Sequence, residues 1–212
     1  MTLSHDFART ITPEEINALA IRRYEGEVRL VATREEMAHA AADFSQERVV
    51  GFDTETRPSF RVGESHPPAL AQAATARAVY LFQLQRMDFA GVLEPLLSSH
   101  KTAKAGIGVG EDLRQLRKTF AFAPAAIVDL GAVARRHKLE KSSVRALAAL
   151  FLGIRIPKGA KTTNWAARQL SPQQIAYAAT DAWVCREIYL KFEEMGLLKK
   201  PGPGALPEPG LR

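Results

Sequence analysis

The chain has 212 residues, 46% of them hydrophobic and 25% charged, enough for one domain with a substantial core and too apolar for a largely unfolded chain. No run approaches the roughly 18 continuous apolar residues of a membrane span. The N-terminus lacks a signal-peptide pattern and Cys185 is the single cysteine, so no membrane association and a reducing, cytoplasmic setting are expected. The net charge of +6 favours polyanions as partners.

In chain order, Thr12-Pro13-Glu14-Glu15 carries a capping box with proline at the first helical position, predicting a short helix in an N-terminal extension of residues 1–26. Glu27–Val31 alternates like a half-buried strand. Thr33-Arg34-Glu35-Glu36 starts a second helix that runs towards Phe44, and Arg48–Thr54 is an apolar strand ending in acid. Glycine and proline between Arg57 and Pro68 predict a loop. Leu70–Thr75 and Ala78–Leu84 predict a hairpin turning at Ala76-Arg77.

From there helices and strands alternate: helix Asp88–Leu97, strand Thr102–Gly106, helix Gly110–Phe120, strand Ala126–Asp129. Three helices then follow, Leu130–Lys138, Val144–Phe151 and Pro172–Met195. Antiparallel neighbours followed by βαβ units predict an α/β fold, a mixed central β-sheet flanked by helices on both faces. Residues 27–198 form the expected domain, and 199–212, rich in proline and glycine, a flexible tail.

Three acidic fragments stand out. Strand periodicity points Asp53 and Glu55 to one face, where two carboxylates repel unless a cation lies between them; an ordinary polar strand end is the alternative. Asp112 follows Gly106, Gly108 and Gly110 in the first turn of a helix, a place the helix dipole already favours for acids, and Glu111 is its equal on these grounds. Tyr177 and Asp181 share a helix face, beside small Ala178, Ala179 and Ala182; a core tyrosine bonded to a nearby acid would look the same.

Together, Asp53-Thr54-Glu55, Asp112 and Tyr177-x-x-x-Asp181 resemble the three exonuclease motifs of the DEDD superfamily, in its tyrosine branch. The sister branch places histidine five residues before the last aspartate, where this chain has Ala176. The resemblance spans roughly Val28 to Met195 and is nearest to ribonuclease D and Werner-type exonuclease domains. Supporting fragments are Phe52–Ser59, Val79–Leu84, Asn164-Trp165 and Leu170–Tyr177. This chain departs from the pattern in the Gly108-Val109-Gly110 setting of the second motif.

The resemblance implies a ribonuclease H-like fold and a metal-dependent 3′-5′ exonuclease. Such an enzyme hydrolyses phosphodiester bonds at single-stranded or frayed 3′ ends of DNA or RNA and releases nucleoside monophosphates. It implies a two-metal-ion mechanism with two divalent ions, Mg²⁺ or Mn²⁺. Asp53, Glu55 and Asp181 would hold one ion, Asp53 and Asp112 the second, and Tyr177 would orient the attacking water. The ligand chemistry is consistent, since Mg²⁺ takes oxygen donors and keeps several waters.

Thr54, Phe60, Arg114, Lys161 and Trp165 are candidate substrate contacts, and Lys158 and Arg168 candidate phosphate contacts. Core or lid packing is the alternative for Phe60 and the favoured one for Trp165, and solvated surface would account for most of the charged residues. The chain carries no helicase segment, and oligomeric state is open. A catalytically silent nuclease-like module that binds nucleic acid or a partner is the alternative, and its mark would be a missing motif acid. A phosphatase using Asp53 as nucleophile would want a second aspartate where Glu55 stands.

Overall fold

Two kinds of strand pairing build a single sheet from β1 (Glu27–Leu30), β2 (Val49–Thr56), β3 (Pro68–Ala74), β4 (Ala78–Gln83), β5 (Ala103–Gly106) and β6 (Ile127–Asp129). The strand order is β1-β4-β3-β2-β5-β6. The β2-β3-β4 meander is antiparallel, while β1 joins β4, β5 joins β2 and β6 joins β5, all in parallel. The computed structural model describes residues 7–58, 66–158 and 163–198. The expected tail, Phe60 and Lys161 lie outside these residues.

The hairpin turns where expected because Thr75 organises it. Its hydroxyl accepts from the Arg77 and Ala78 amides, each at 3.1 Å, and donates to Asp43 at 2.8 Å.

Seven helices complete the described residues: α1 (Pro13–Ala18), α2 (Arg34–Ser45), α3 (Ala90–Ser98), α4 (Val109–Leu116), α5 (Leu130–Arg136), α6 (Val144–Leu147) and α7 (Pro172–Glu194). Capping boxes start α1, α2 and α7 at Thr12, Thr33 and Ser171, and proline opens α1 and α7.

Two helical expectations are corrected. The helix expected over Gly110–Phe120 ends at Leu116, after which the chain turns so that Phe122 is buried and Phe120 packs against it at 5.2 Å between ring centroids. The helix expected over Val144–Phe151 is α-helical only to Leu147 and continues as a π-helical turn, Ala148–Leu152, ending at Gly153 with φ +64°. Neither change is encoded in apolar periodicity; both follow from which side chains the core accepts.

Helices cover both sheet faces. Val50 and Phe52 of β2 face α2, α3 and α4, in a cluster that includes Phe44, Leu93 and Leu113. Val49, on the alternate face, packs with α5, α6 and α7.

α7 is the long brace, crossing β2, β3, β4 and β5. It sits directly on β2 because position 51 is glycine. A Cβ there would lie 2.0 Å from the Ala182 carbonyl oxygen and 2.8 Å from the Arg186 amide nitrogen. The matching helix face is Ala178, Ala179 and Ala182, all fully buried. No helix among the described residues is long and apolar enough to cross a membrane.

Candidate active site

The closeness of α7 to β2 builds the acidic site. Asp53 and Glu55 extend the face on which Gly51 meets the helix, and one turn before Arg186 the helix delivers buried Asp181 to the same place. One carboxylate oxygen from each of Asp53, Glu55 and Asp181 lies within 4.8 Å of the others. Burial, then the charges of Asp181, Asp112 and Glu55, push the Asp53 carboxyl well above the usual range; against this stands one hydrogen bond, from the Thr54 amide at 3.0 Å.

Gln72 is paired with Asp53 across the β2–β3 ladder and is fully buried. Neither its amide oxygen nor its amide nitrogen has a hydrogen-bond partner. Three convergent oxygen donors, an anion held against its neighbours' charge and an orphaned buried amide alongside fit a hard divalent cation with its waters.

Tyr177 hydrogen-bonds Asp181 through its hydroxyl. Burial first, and then Asp181, raise the phenol far above its ordinary value. It is a neutral donor and acceptor at any physiological pH, suited to orienting a water rather than to removing its proton.

Asp112 approaches from the other side of β2. Thr54 alternates to the α4 face, and its hydroxyl donates to Asp112 Oδ1 at 2.8 Å. Burial pushes the Asp112 carboxyl up to about 6 despite that bond, with Glu111 and Asp129 adding to the rise. Three of the four acids therefore converge, and the fourth stands apart, tied to them by the residue between the first two. Glu111, equal to Asp112 on sequence grounds, is exposed and turned to Arg114 and Gln115.

A cleft of about 370 Å³ opens beside this cluster, lined among others by Arg23, Lys158, Gln173, Tyr177, Thr180 and Asp181.

Residues 28–196 match the 3′-5′ exonuclease family. The chain belongs to that family. An exonuclease mut-7 homolog of Aedes aegypti is 27% identical over 207 residues, 86% of this chain and 28% of the relative. The bifunctional 3′-5′ exonuclease/ATP-dependent helicase WRN of Mus musculus is 33% identical over 155 residues, 70% of this chain and 11% of that protein. The chain thus spans under a third of the length of either relative. Among solved structures, the Aedes aegypti Nibbler EXO domain superposes with a TM-score of 0.72 at 24% identity, covering 84% of this chain and 92% of that one. The fold of this exonuclease-family domain is ribonuclease H-like, as the motifs implied.

The proposed substrate contacts fare unevenly in this exonuclease-family domain. Trp165 is corrected: its side chain is fully buried, with the ring 6.0 Å from that of Tyr177, so it supports the tyrosine from behind and offers no face to a base. Arg114 is exposed on α4 and paired with Glu111. Thr54 is buried and engaged with Asp112.

Sequence reasoning passed over Gly51, although an isolated glycine within a strand is itself a signal of close backbone approach. It also passed over Gln72, Arg23 and Asp129. The last caps α5 and accepts from the Gly108 amide at 3.3 Å, holding the glycine turn in front of Asp112.

Proposed function

We propose that this domain is a metal-dependent 3′-5′ exonuclease that hydrolyses the terminal phosphodiester of single-stranded or frayed 3′ ends of DNA or RNA and releases nucleoside monophosphates. The observation that carries this reading is the convergence of Asp53, Glu55 and Asp181, with Tyr177 on Asp181, at the edge of a cleft that also holds Arg23 and Lys158.

Asp53, Glu55 and Asp181 have the donor set for one divalent ion, and Asp53 with Asp112 for a second. Mg²⁺ or Mn²⁺ bound there would neutralise charge on the attacking and leaving oxygens of an in-line displacement. The chain's own residues supply position. The Tyr177 hydroxyl donates a hydrogen bond to Asp181, and its oxygen lone pairs accept from the attacking water and fix its direction. Thr54 holds Asp53 through its amide and Asp112 through its hydroxyl, so one residue sets the spacing of the two sides. No motif acid is missing, which disfavours a silent binding module.

The test is digestion of 5′-labelled single-stranded DNA, RNA and duplex DNA with each metal; the two single strands share the phosphodiester and differ at the 2′-OH. Stepwise shortening from the 3′ end, lost in Asp53→Ala, is expected. Full activity in that variant, or no digestion of any substrate with either ion, overturns the reading.

A further inference from the structure

The N-terminal extension does not hang free of the cleft. Arg22 donates its amide hydrogen to the Arg155 carbonyl at 2.9 Å, and Arg155 returns the bond to the Ala20 carbonyl at 2.9 Å, so Ile21 and Arg155 form a parallel bridge. The Tyr24 amide then donates to Thr180 Oγ1 at 3.1 Å, and the Tyr24 ring lies 5.9 Å from that of Trp183. Thr180 is itself fixed, donating to the Ala176 carbonyl at 2.6 Å.

Residues 20–24 are therefore a strap with two anchors. One is three residues before Lys158; the other is on α7, next to Asp181. Arg23 is the residue between the anchors, and its side chain lines the cleft with Lys158. Neither cation has a hydrogen-bond or ion-pair partner among the described residues. Arg23 also lies outside residues 28–196, the part that matches the exonuclease family.

We infer that this strap is part of the nucleic-acid binding surface: Arg23, together with Lys158, holds a backbone phosphate of the strand whose 3′ end enters the cleft. The inference rests on reading the cleft as the nuclease site. Its chemistry follows from what surrounds it. A wall carrying Asp181 repels a polyanion, and a guanidinium and an ammonium without partners among the described residues offset that repulsion and donate to phosphate oxygens. Two backbone anchors flanking Arg23 hold it ready, so less ordering entropy is lost when a strand binds. Phosphate contacts of this kind set register and affinity and leave the chemistry to other groups, so Arg23 is a positioning residue.

The test uses the full chain carrying Asp53→Asn, which permits binding to be measured without turnover. A fluorescein-labelled single-stranded oligonucleotide is titrated by anisotropy across a salt series. Adding Arg23→Ala should weaken binding roughly 3–10-fold and reduce the slope of log K against log salt by about 0.7. Arg23→Lys should restore most of that slope, and Thr180→Val, which removes the acceptor of the Tyr24 amide and so releases one anchor, should reproduce part of the loss. In the otherwise wild-type enzyme, Arg23→Ala should raise KM with kcat within about twofold of the parent, the signature of lost uniform binding.

Unchanged affinity and salt slope in Arg23→Ala overturn the inference, as does a parent chain that binds no oligonucleotide. If the parent binds but digests nothing with either metal, the exonuclease reading falls while the anisotropy comparison still decides the role of the strap.

Discussion

Two carboxylates are packed against opposite faces of the same sheet, and their surroundings follow opposite plans. Asp43, on α2, is 4% exposed and accepts from Thr75 at 2.8 Å, from Tyr80 at 3.1 Å and from the Arg77 guanidinium. Burial alone would raise its carboxyl, but the bonds from Thr75, Arg77 and Tyr80 outweigh burial and hold it below its ordinary value. Asp53 has acids where Asp43 has donors, and a single amide bond to offset them. A buried carboxylate surrounded by donors strengthens the fold. One surrounded by carboxylates weakens the metal-free fold, a cost that a bound cation would relieve.

The most severe test of that contrast is Asp53→Asn. Exonuclease activity should fall by roughly 10³-fold or more, the scale at which losing a principal transition-state stabiliser is felt. The metal-free variant should nevertheless melt higher than the parent. The sign follows from the shift: a carboxyl raised in the folded state binds protons there more readily than in the unfolded chain. The metal-free parent therefore loses stability as pH rises from about 4, the unfolded value, through the folded one. Thermal unfolding with EDTA between pH 4 and 8 checks this, and added Mn²⁺ should raise the melting temperature of the parent but not of the variant. A lower melting temperature for metal-free Asp53→Asn would break the comparison.

Gly51→Ala attacks the acidic site from behind. A Cβ 2.0 Å from the Ala182 carbonyl forces α7 away from β2, at a cost of about 3 kcal/mol or more, and carries Asp181 from its partners. Chemical denaturation and activity should fall together, with weakened Mn²⁺ binding in the protein that remains folded.

Asp43→Ala should give the mirror image of Asp53→Asn. Leaving Thr75 and Tyr80 without their acceptor should cost about 3 kcal/mol at pH 7, while activity per folded molecule holds. Because the Asp43 carboxyl is depressed in the folded state, its contribution is present above the unfolded value of about 4 and is lost as pH falls through the folded one. Parent and variant denaturation curves should therefore converge in acid.

Tyr177→Phe sharpens the picture within the acidic site. Losing the hydroxyl should lower kcat roughly 10²-fold, with metal-dependent stabilisation intact because no carboxylate is removed. A variant that loses metal binding instead would make Tyr177 a structural support of Asp181 and not a positioner of water.

Much of this was legible without coordinates. The capping boxes at Thr12, Thr33 and Ser171 start helices where the residues say, and the apolar runs at Val49, Leu70 and Val79 are strands. Asp53 and Glu55 share a face because strand side chains alternate. Helix position alone left Asp112 and Glu111 level, since both fit the first turn of α4; the motif resemblance pointed to Asp112, and the Thr54 hydroxyl across the sheet bonds that residue. For Trp165 the sequence favoured core packing over a base-binding wall, because an indole more often fills a core, and its full burial agrees.

The sequence by itself determined the local elements, the family motifs and the identities of the four acids, because caps, periodicities and spacings act between neighbours along the chain. Tertiary structure decided the rest. It placed Asp181 beside Asp53, kept Asp112 one bridging hydroxyl away, turned Trp165 inward and brought Arg23 to the cleft. Those outcomes depend on how closely distant backbones can approach, and here that limit is set by one missing Cβ at Gly51 and the small side chains of α7 opposite it.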